Sequence, residues 1–178
     1  MAYLTDPNTG VNAAVSGDQQ LLTKALIESG LRFVSEATKE SYAWASGTYD
    51  PDAGDTILAI KNTSNTKKLH ITKVWVSCDT ESRVVIHIPT SQVTMAGTAI
   101  TGTNLNTTSA NVADADARQD ETGNTQGDIV WSGETQAAND SFLVDFEGAL
   151  ILDRNKTVGV DFVAASTAGD VTMFGYFI

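Results

Sequence analysis

Residues 56–78 read TILAIKNTSNTKKLHITKVWVSC, two apolar runs separated by a polar turn, and the reading of these runs decides the fold. TILAIKN (56–62) and LHITKVWVSC (69–78) are rich in β-branched residues and apolar at both parities. Runs of this length and composition, bounded by Asn, Ser and Thr, are strands, and apolar positions at both parities predict central strands covered on both faces. KNTSNTKK (61–68) reads as an exposed turn between them. The only cysteine, Cys78, and one of the two histidines, His70, fall in the second run, where they read as packing residues.

The same period extends outward. RVVIHI (83–88) places Val84, Ile86 and Ile88 on one face, and FLVDF (142–146) does so with Phe142, Val144 and Phe146. TVGVDFVA (157–164) sets Val158, Val160, Phe162 and Ala164 against Thr157, Gly159 and Asp161, the pattern of a strand with one wet face. SYAWAS (41–46) and VTMFGYFI (171–178) complete a set of seven or eight strands separated by turn clusters, which predicts an all-β sandwich or barrel. VTMFGYFI is expected to be a paired strand inside a sheet.

Two stretches admit two readings each. Residues 89–140 are dominated by Thr, Asn, Gly, Ala and Asp, and within them NVADADARQD (111–120) fits an edge strand with a small-residue face or a short helix. SGDQQLLTKALIESG (16–30) fits a helix capped by Ser16 and Gln19 with Gly30 beyond its end. It also fits a hairpin, with Val11, Ala13 and Val15 before a Gly17-Asp18 turn and Leu21, Thr23, Ala25 and Ile27 after it, and this extended reading is preferred. The chain divides into residues 1–34, an arm or short hairpin, and 35–178, a single domain.

With 178 residues, 42% of them hydrophobic, the chain can bury roughly 70% of its unfolded surface in one core. Its 22 acidic and 11 basic residues give a formal charge of −11, which disfavours nucleic acid and anionic lipid as partners. No apolar run approaches the roughly 20 residues of a membrane span. MAYLTDPNTG lacks the basic and apolar regions of a signal peptide, so synthesis in a reducing cytoplasm is expected.

Sites of chemistry are hard to find. His70, His87 and Cys78 have no ligand spacing for zinc, and no metal or other cofactor is expected. YDPDAGD (49–55) groups Asp50, Asp52 and Asp55 around a glycine but lacks the later ligands of a calcium loop, so it reads as a solvated turn. Neither a nucleophile elbow nor a phosphate-binding glycine motif occurs. The pairs Asp145/Glu147 and Asp79/Glu81 have the composition of a glycosidase acid and base, yet a spacing of two on a strand points both to one wet face. Of the three tryptophans, Trp75 reads as core and Trp131 as the exposed one that, with Tyr49, would stack on a sugar ring. No enzyme is expected.

Taken in order, ILAIKNTSNTKKLHITKVWVSCDT (57–80), GTAITGTNLNTTSANVADADA (97–117), GALILDRNKTVGVDF (148–162) and the terminal MFGYFI resemble the jelly-roll capsid decoration, cement and vertex proteins of tailed bacteriophages. The resemblance covers nearly the whole chain, and NAAVSGDQQLLTKAL (12–26) resembles their extended arm. It implies a two-sheet jelly-roll β-sandwich, a homo-oligomer that is commonly a trimer, and a non-enzymatic place on the outer capsid surface of the virion. The implied partner is the major capsid protein, and Asn104-Leu105-Asn106 would enter an outer loop. The arm, Ala2 to Ile27, would carry Tyr3, Leu4, Val11, Val15 and Leu22 as contacts to capsid or neighbouring subunit, unless it pairs within its own subunit. The competing class is a receptor- or carbohydrate-binding sandwich of a tail fibre.

Overall fold

The computed structural model describes residues 30–48, 56–90, 94–122, 124–135, 140–164 and 168–178, and the backbone of 2–5, 12–15 and 21–22. Three short strands open the chain, β1 (Ala2–Thr5), β2 (Asn12–Val15) and β3 (Leu21–Leu22), forming an antiparallel sheet in the order β1-β2-β3. The extended reading of 12–22 therefore holds over the described strands, and the Gly17-Asp18 turn lies outside them. A helix does occur, but later: α1 (Gly30–Ala37) begins where the capped-helix reading would have ended. It crosses the 34/35 boundary drawn between arm and domain.

Eleven further strands follow: β4 (Ser41–Ala45), β5 (Thr56–Asn62), β6 (Leu69–Cys78), β7 (Arg83–Ile88), β8 (Thr98–Ile100), β9 (Thr103–Asn104), β10 (Ala115–Glu121), β11 (Asp128–Glu134), β12 (Asp140–Leu152), β13 (Thr157–Phe162) and β14 (Gly169–Phe177). They make two antiparallel sheets, six strands in the order β11-β7-β13-β5-β10-β8 and five in the order β12-β6-β14-β4-β9. The expected all-β sandwich is what forms. NVADADARQD contributes β10, which is no edge strand: it pairs with β5 on one side and β8 on the other.

The pairings are nested. β4 pairs with β14, β5 with β13, β6 with β12 and β7 with β11, as if one long hairpin, closing between β7 and β11, had been rolled so that successive rungs alternate between sheets. The tip of that hairpin holds β8, β9 and β10, which extend the sheets on their far side. There the chain crosses from β8 to β9 over Trp44, so closely that a Cβ on Gly102 would lie 2.5 Å from the indole nitrogen.

The inner faces meet in one core. Tyr42, Trp44, Leu69, Ile71, Met173 and Phe177 from one sheet pack on Leu58, Ile60, Ile86, Val160 and Phe162 from the other, all at most 2% exposed. Tyr42 holds the aromatic centre, with ring centroids 5.8 Å from both Trp44 and Phe177. Each such side chain contributes about 1.5–3 kcal/mol on burial.

The outer faces depart from the expected periodicity. In β7 and β13 both parities are buried, so the wet face expected of TVGVDFVA, with Thr157 and Asp161 in solvent, is dry instead. The segment around Gly127 accounts for part of this, because its backbone lies against Ile88 and His87 of β7, too closely for any side chain to fit at the glycine. β6, expected to be covered on both faces, alternates buried with half-buried, and Trp75 stands on its outer side, not in the core. The turn at 61–68 exposes Thr63, Asn65, Thr66 and Lys68 but buries Asn62 and Ser64. The Asn62 amide donates to the carbonyls of Lys67 and Leu152, and its oxygen accepts from the Ser64 N–H. The turn is thus locked from inside.

Candidate functional site

Four places gather side chains or surface that can do something. The first is the outer face of the six-stranded sheet, where His87, Asp161 and Thr56 meet. Thr56 Oγ1 donates to Asp161 Oδ1 at 2.7 Å, and His87 Nε2 lies 3.0 Å from the same oxygen. The backbone N–H of Gly127 points at His87 Nδ1 at 3.3 Å. An N–H can only donate, so Nδ1 accepts and the ring proton sits on Nε2, where it is given to Asp161. Glycine is required between the partners, since a Cβ on Gly159 would lie 2.8 Å from His87 Nε2.

A histidine oriented by an aspartate is half of a nucleophile-activating triad. Here the other half has no room, because Nδ1 is occupied by backbone and the imidazole is fully buried. The group is a strut fastening β7, β13 and β5 to the loop before β11.

The second place holds the carboxylates. Asp145 makes an exposed ion pair with Lys73 at 3.1 Å and accepts the Glu147 N–H at 2.8 Å. That N–H, and then Lys73, hold its carboxyl below the usual range. The register slips between Asp145 and Leu150, and Glu147 has φ +52°, so the pair does not share a regular strand face as its spacing implied. Both border a hollow of about 690 Å³ beside the start of α1, with Gly30, Thr72, Lys73 and Phe174. Asp79 accepts the Thr80 hydroxyl in the turn after β6, and Glu81 is exposed. Among the described residues no three His, Cys, Asp or Glu converge on a metal-sized site. Asp50, Asp52, Asp55 and Tyr49 lie outside them.

The third place was not legible in the sequence. Asn104, Asn106 and Asn111 clamp the C-terminal end of α1, whose last carbonyls have no partner in the helix. Asn106 Nδ2 donates to Ser35 O at 2.7 Å, Asn104 Nδ2 to Lys39 O at 2.8 Å, and Asn111 Nδ2 to Thr38 O at 3.3 Å. The segment expected to enter an outer loop is the seat of the helix that joins arm to sandwich. Only the density of asparagines hinted at it.

The fourth is an open seam. β11 and β12 end their sheets on the same side, and a groove of about 650 Å³ runs between them, lined by Trp131, Gly133, Glu134, Phe142, Leu143 and Asp145 among others. Trp131 packs on Phe142 at 5.0 Å between ring centroids, so it is tied to the seam and not held out as a free platform.

Of the proposed contact residues, the arm register aligns Tyr3 with Ala14 and Ala14 with Leu22, while Leu4 and Val15 occupy the opposite parity. Val11 lies outside the described residues. Apolar residues thus fall at both parities of the arm sheet. No family model matches the chain, and neither a curated protein nor a solved structure matches it.

Proposed function

We propose that the chain is a non-enzymatic structural protein of a tailed-phage virion that binds the outer surface of the capsid through its major capsid protein, as a homo-oligomer. The observation that carries this reading is the arm sheet. The three strands, of two to four residues, are at or below the short end of usual strand length and can bury little among themselves, and among the described residues they pair only with one another. Apolar positions at both parities, Tyr3 and Leu22 on one and Leu4 and Val15 on the other, fit a sheet meant to be covered by another chain. The nested pairing supports the finer assignment of a jelly roll, whose four-plus-four strands arise from one rolled hairpin. Supporting the non-enzymatic half, the buried histidine has both ring nitrogens engaged within the protein.

The test is co-sedimentation with undecorated heads of the cognate phage, run beside light scattering. Full-length protein is expected to pellet with heads and to scatter as an oligomer, and Leu4→Asp with Val15→Asp to lose the pelleting. A monomer that stays in the supernatant sinks the proposal.

A second reading, the sugar- or receptor-binding module of a tail fibre, draws on Trp75, which stands half-buried on the outer face of the five-stranded sheet beside Leu143 and Thr172 in register. Binding to a glycan array that disappears in Trp75→Ala would favour it.

A further inference from the structure

We propose that the outer face of the five-stranded sheet binds a neutral saccharide, its ring stacked on Trp75 and two neighbouring hydroxyls given to the Asp170 carboxylate. The sugar-binding reading is the premise; the sugar class and the residue that selects it are new. The capsid reading is independent of both.

Residues opposite one another in a sheet share a face, as do side chains two apart on one strand. Trp75 therefore lies in a row with Leu143 of β12 and Thr172 of β14, and the next row holds Ser141, Ser77 and Asp170. Val74, Val76 and Cys78, at the other parity, belong to the core. Directly opposed side chains stand about 4.5–5.5 Å apart at Cβ and diagonal ones about 7–8 Å. Asp170, diagonal to Trp75, is thus within the breadth of one sugar ring from the indole.

The groups in these rows are open. Among the described residues Asp170 has neither a hydrogen bond nor an ion pair, and burial alone holds its carboxyl above the ordinary value. The side chains of Ser77, Ser141, Thr172 and Trp75 likewise make no hydrogen bond within the described protein. A carboxylate that sheds water without gaining a donor costs stability, and hydroxyls on adjacent ring carbons restore the loss, one to each oxygen. The three side-chain hydroxyls can serve the remaining rim of the sugar. A pyranose also has an apolar face of C–H bonds, which the flat indole receives. Leu143 is the one large aliphatic side chain in the two rows, which is little apolar surface for a protein partner. Acidic sugars are disfavoured, because a uronic or sialic carboxylate would meet Asp170 on a chain of charge −11. The cation of the following row, Lys73, is already held by Asp145 at 3.1 Å.

The experiment probes an array of neutral gluco-, manno- and galacto-oligosaccharides, printed beside uronic and sialylated ones, with the full-length protein. Titration calorimetry and melting temperatures follow for wild type, Asp170→Asn and Trp75→Ala. Wild type should hold neutral sugars and leave the acidic ones. Asp170→Asn keeps the side chain's shape and removes a buried charge, so near neutral pH it should melt no lower than wild type while binding roughly tenfold to a hundredfold more weakly. Trp75→Ala should abolish binding. Binding lost in Trp75→Ala but unchanged in Asp170→Asn overturns the role of Asp170 and leaves the sugar-binding reading standing. Acidic sugars held as firmly as neutral ones do the same to the selectivity. A melting temperature for Asp170→Asn well below wild type makes the carboxylate a structural one and also overturns its role. A wild type that holds no sugar, or one whose binding neither substitution weakens, overturns the inference and its premise together.

Discussion

Replacing Asp161 with alanine leaves two donors stranded in a place water does not reach. His87 Nε2–H loses its acceptor at 3.0 Å and Thr56 Oγ1 loses its acceptor at 2.7 Å. An orphaned buried donor costs about 1–3 kcal/mol, so the pair predicts a loss of about 2–6 kcal/mol against a total stability on the order of 5–15 kcal/mol. For a chain of this size each kcal/mol moves the melting temperature by roughly 2–4 °C, which puts Asp161→Ala about 6–12 °C below wild type for a mid-range loss of about 3 kcal/mol. Calorimetry or thermal circular dichroism reads this directly. A second measurement separates the strut from simple loss of packing. Once Asp161 is gone, removing His87 should cost about 1–3 kcal/mol less than it does in wild type. Gly159→Ala should reproduce part of the defect, because its Cβ displaces the imidazole. A melting temperature for Asp161→Ala within about 2 °C of wild type, the outcome expected for the exposed Asp145→Ala, would refute the assignment of these residues as a buried strut.

Asn106→Ala removes the 2.7 Å bond to Ser35 O and should cost about 1 kcal/mol, seen as faster amide exchange over 34–39 with the sandwich amides unchanged. Burial holds the Asp170 carboxyl above its ordinary value, so the folded state keeps this proton longer than the unfolded chain. Its contribution is present at acid pH and lost as pH rises through the raised value, so Asp170→Asn should raise the melting temperature at pH 7 by an increment that fades toward about pH 4. The Tyr42 phenol is pushed up by burial and then by Glu40, whose Oε2 accepts its hydroxyl at 3.2 Å. Unfolded tyrosine ionises near about 10, so stability should fall as pH rises beyond that, and Tyr42→Phe should flatten the alkaline limb of a denaturation series.

The class of fold was legible because strands announce themselves by period two or by short runs apolar at both parities: FLVDF and TVGVDF lie where the first put them, and TILAIKN where the second did. What misled was the inference from alternation to water. Asp161 is polar, yet it is buried, because an outer face can be dry where its polar groups satisfy one another, as Asp161 does with His87 and Thr56, while Thr157 is buried with its hydroxyl unpartnered. Trp75 fails in the opposite sense: an apolar flank in sequence does not reveal which parity a bulged strand turns inward. The clamp of Asn104, Asn106 and Asn111 on α1 left only its asparagines as a sign, because it joins residues some seventy positions apart through backbone carbonyls, which leave no mark in residue type. The carboxylate pair Asp145/Glu147 is wet on both members, as its spacing implied, although the register slip and the positive φ of Glu147 interrupt the regular strand between them and Leu150.

The nested pairing also has a kinetic meaning. β4 and β6 are made well before β14, yet β14 lies between them in the middle of the five-stranded sheet. Until β14 emerges from the ribosome, the sheet has a slot where its central strand belongs, and two inner edges stand open. Nearly every rung joins residues far apart in the chain, so closure is intrinsically slow. The growing chain is therefore most vulnerable to wrong pairing before β14 arrives, and its yield in cells should respond to chaperones and to translation speed more than its equilibrium stability would indicate.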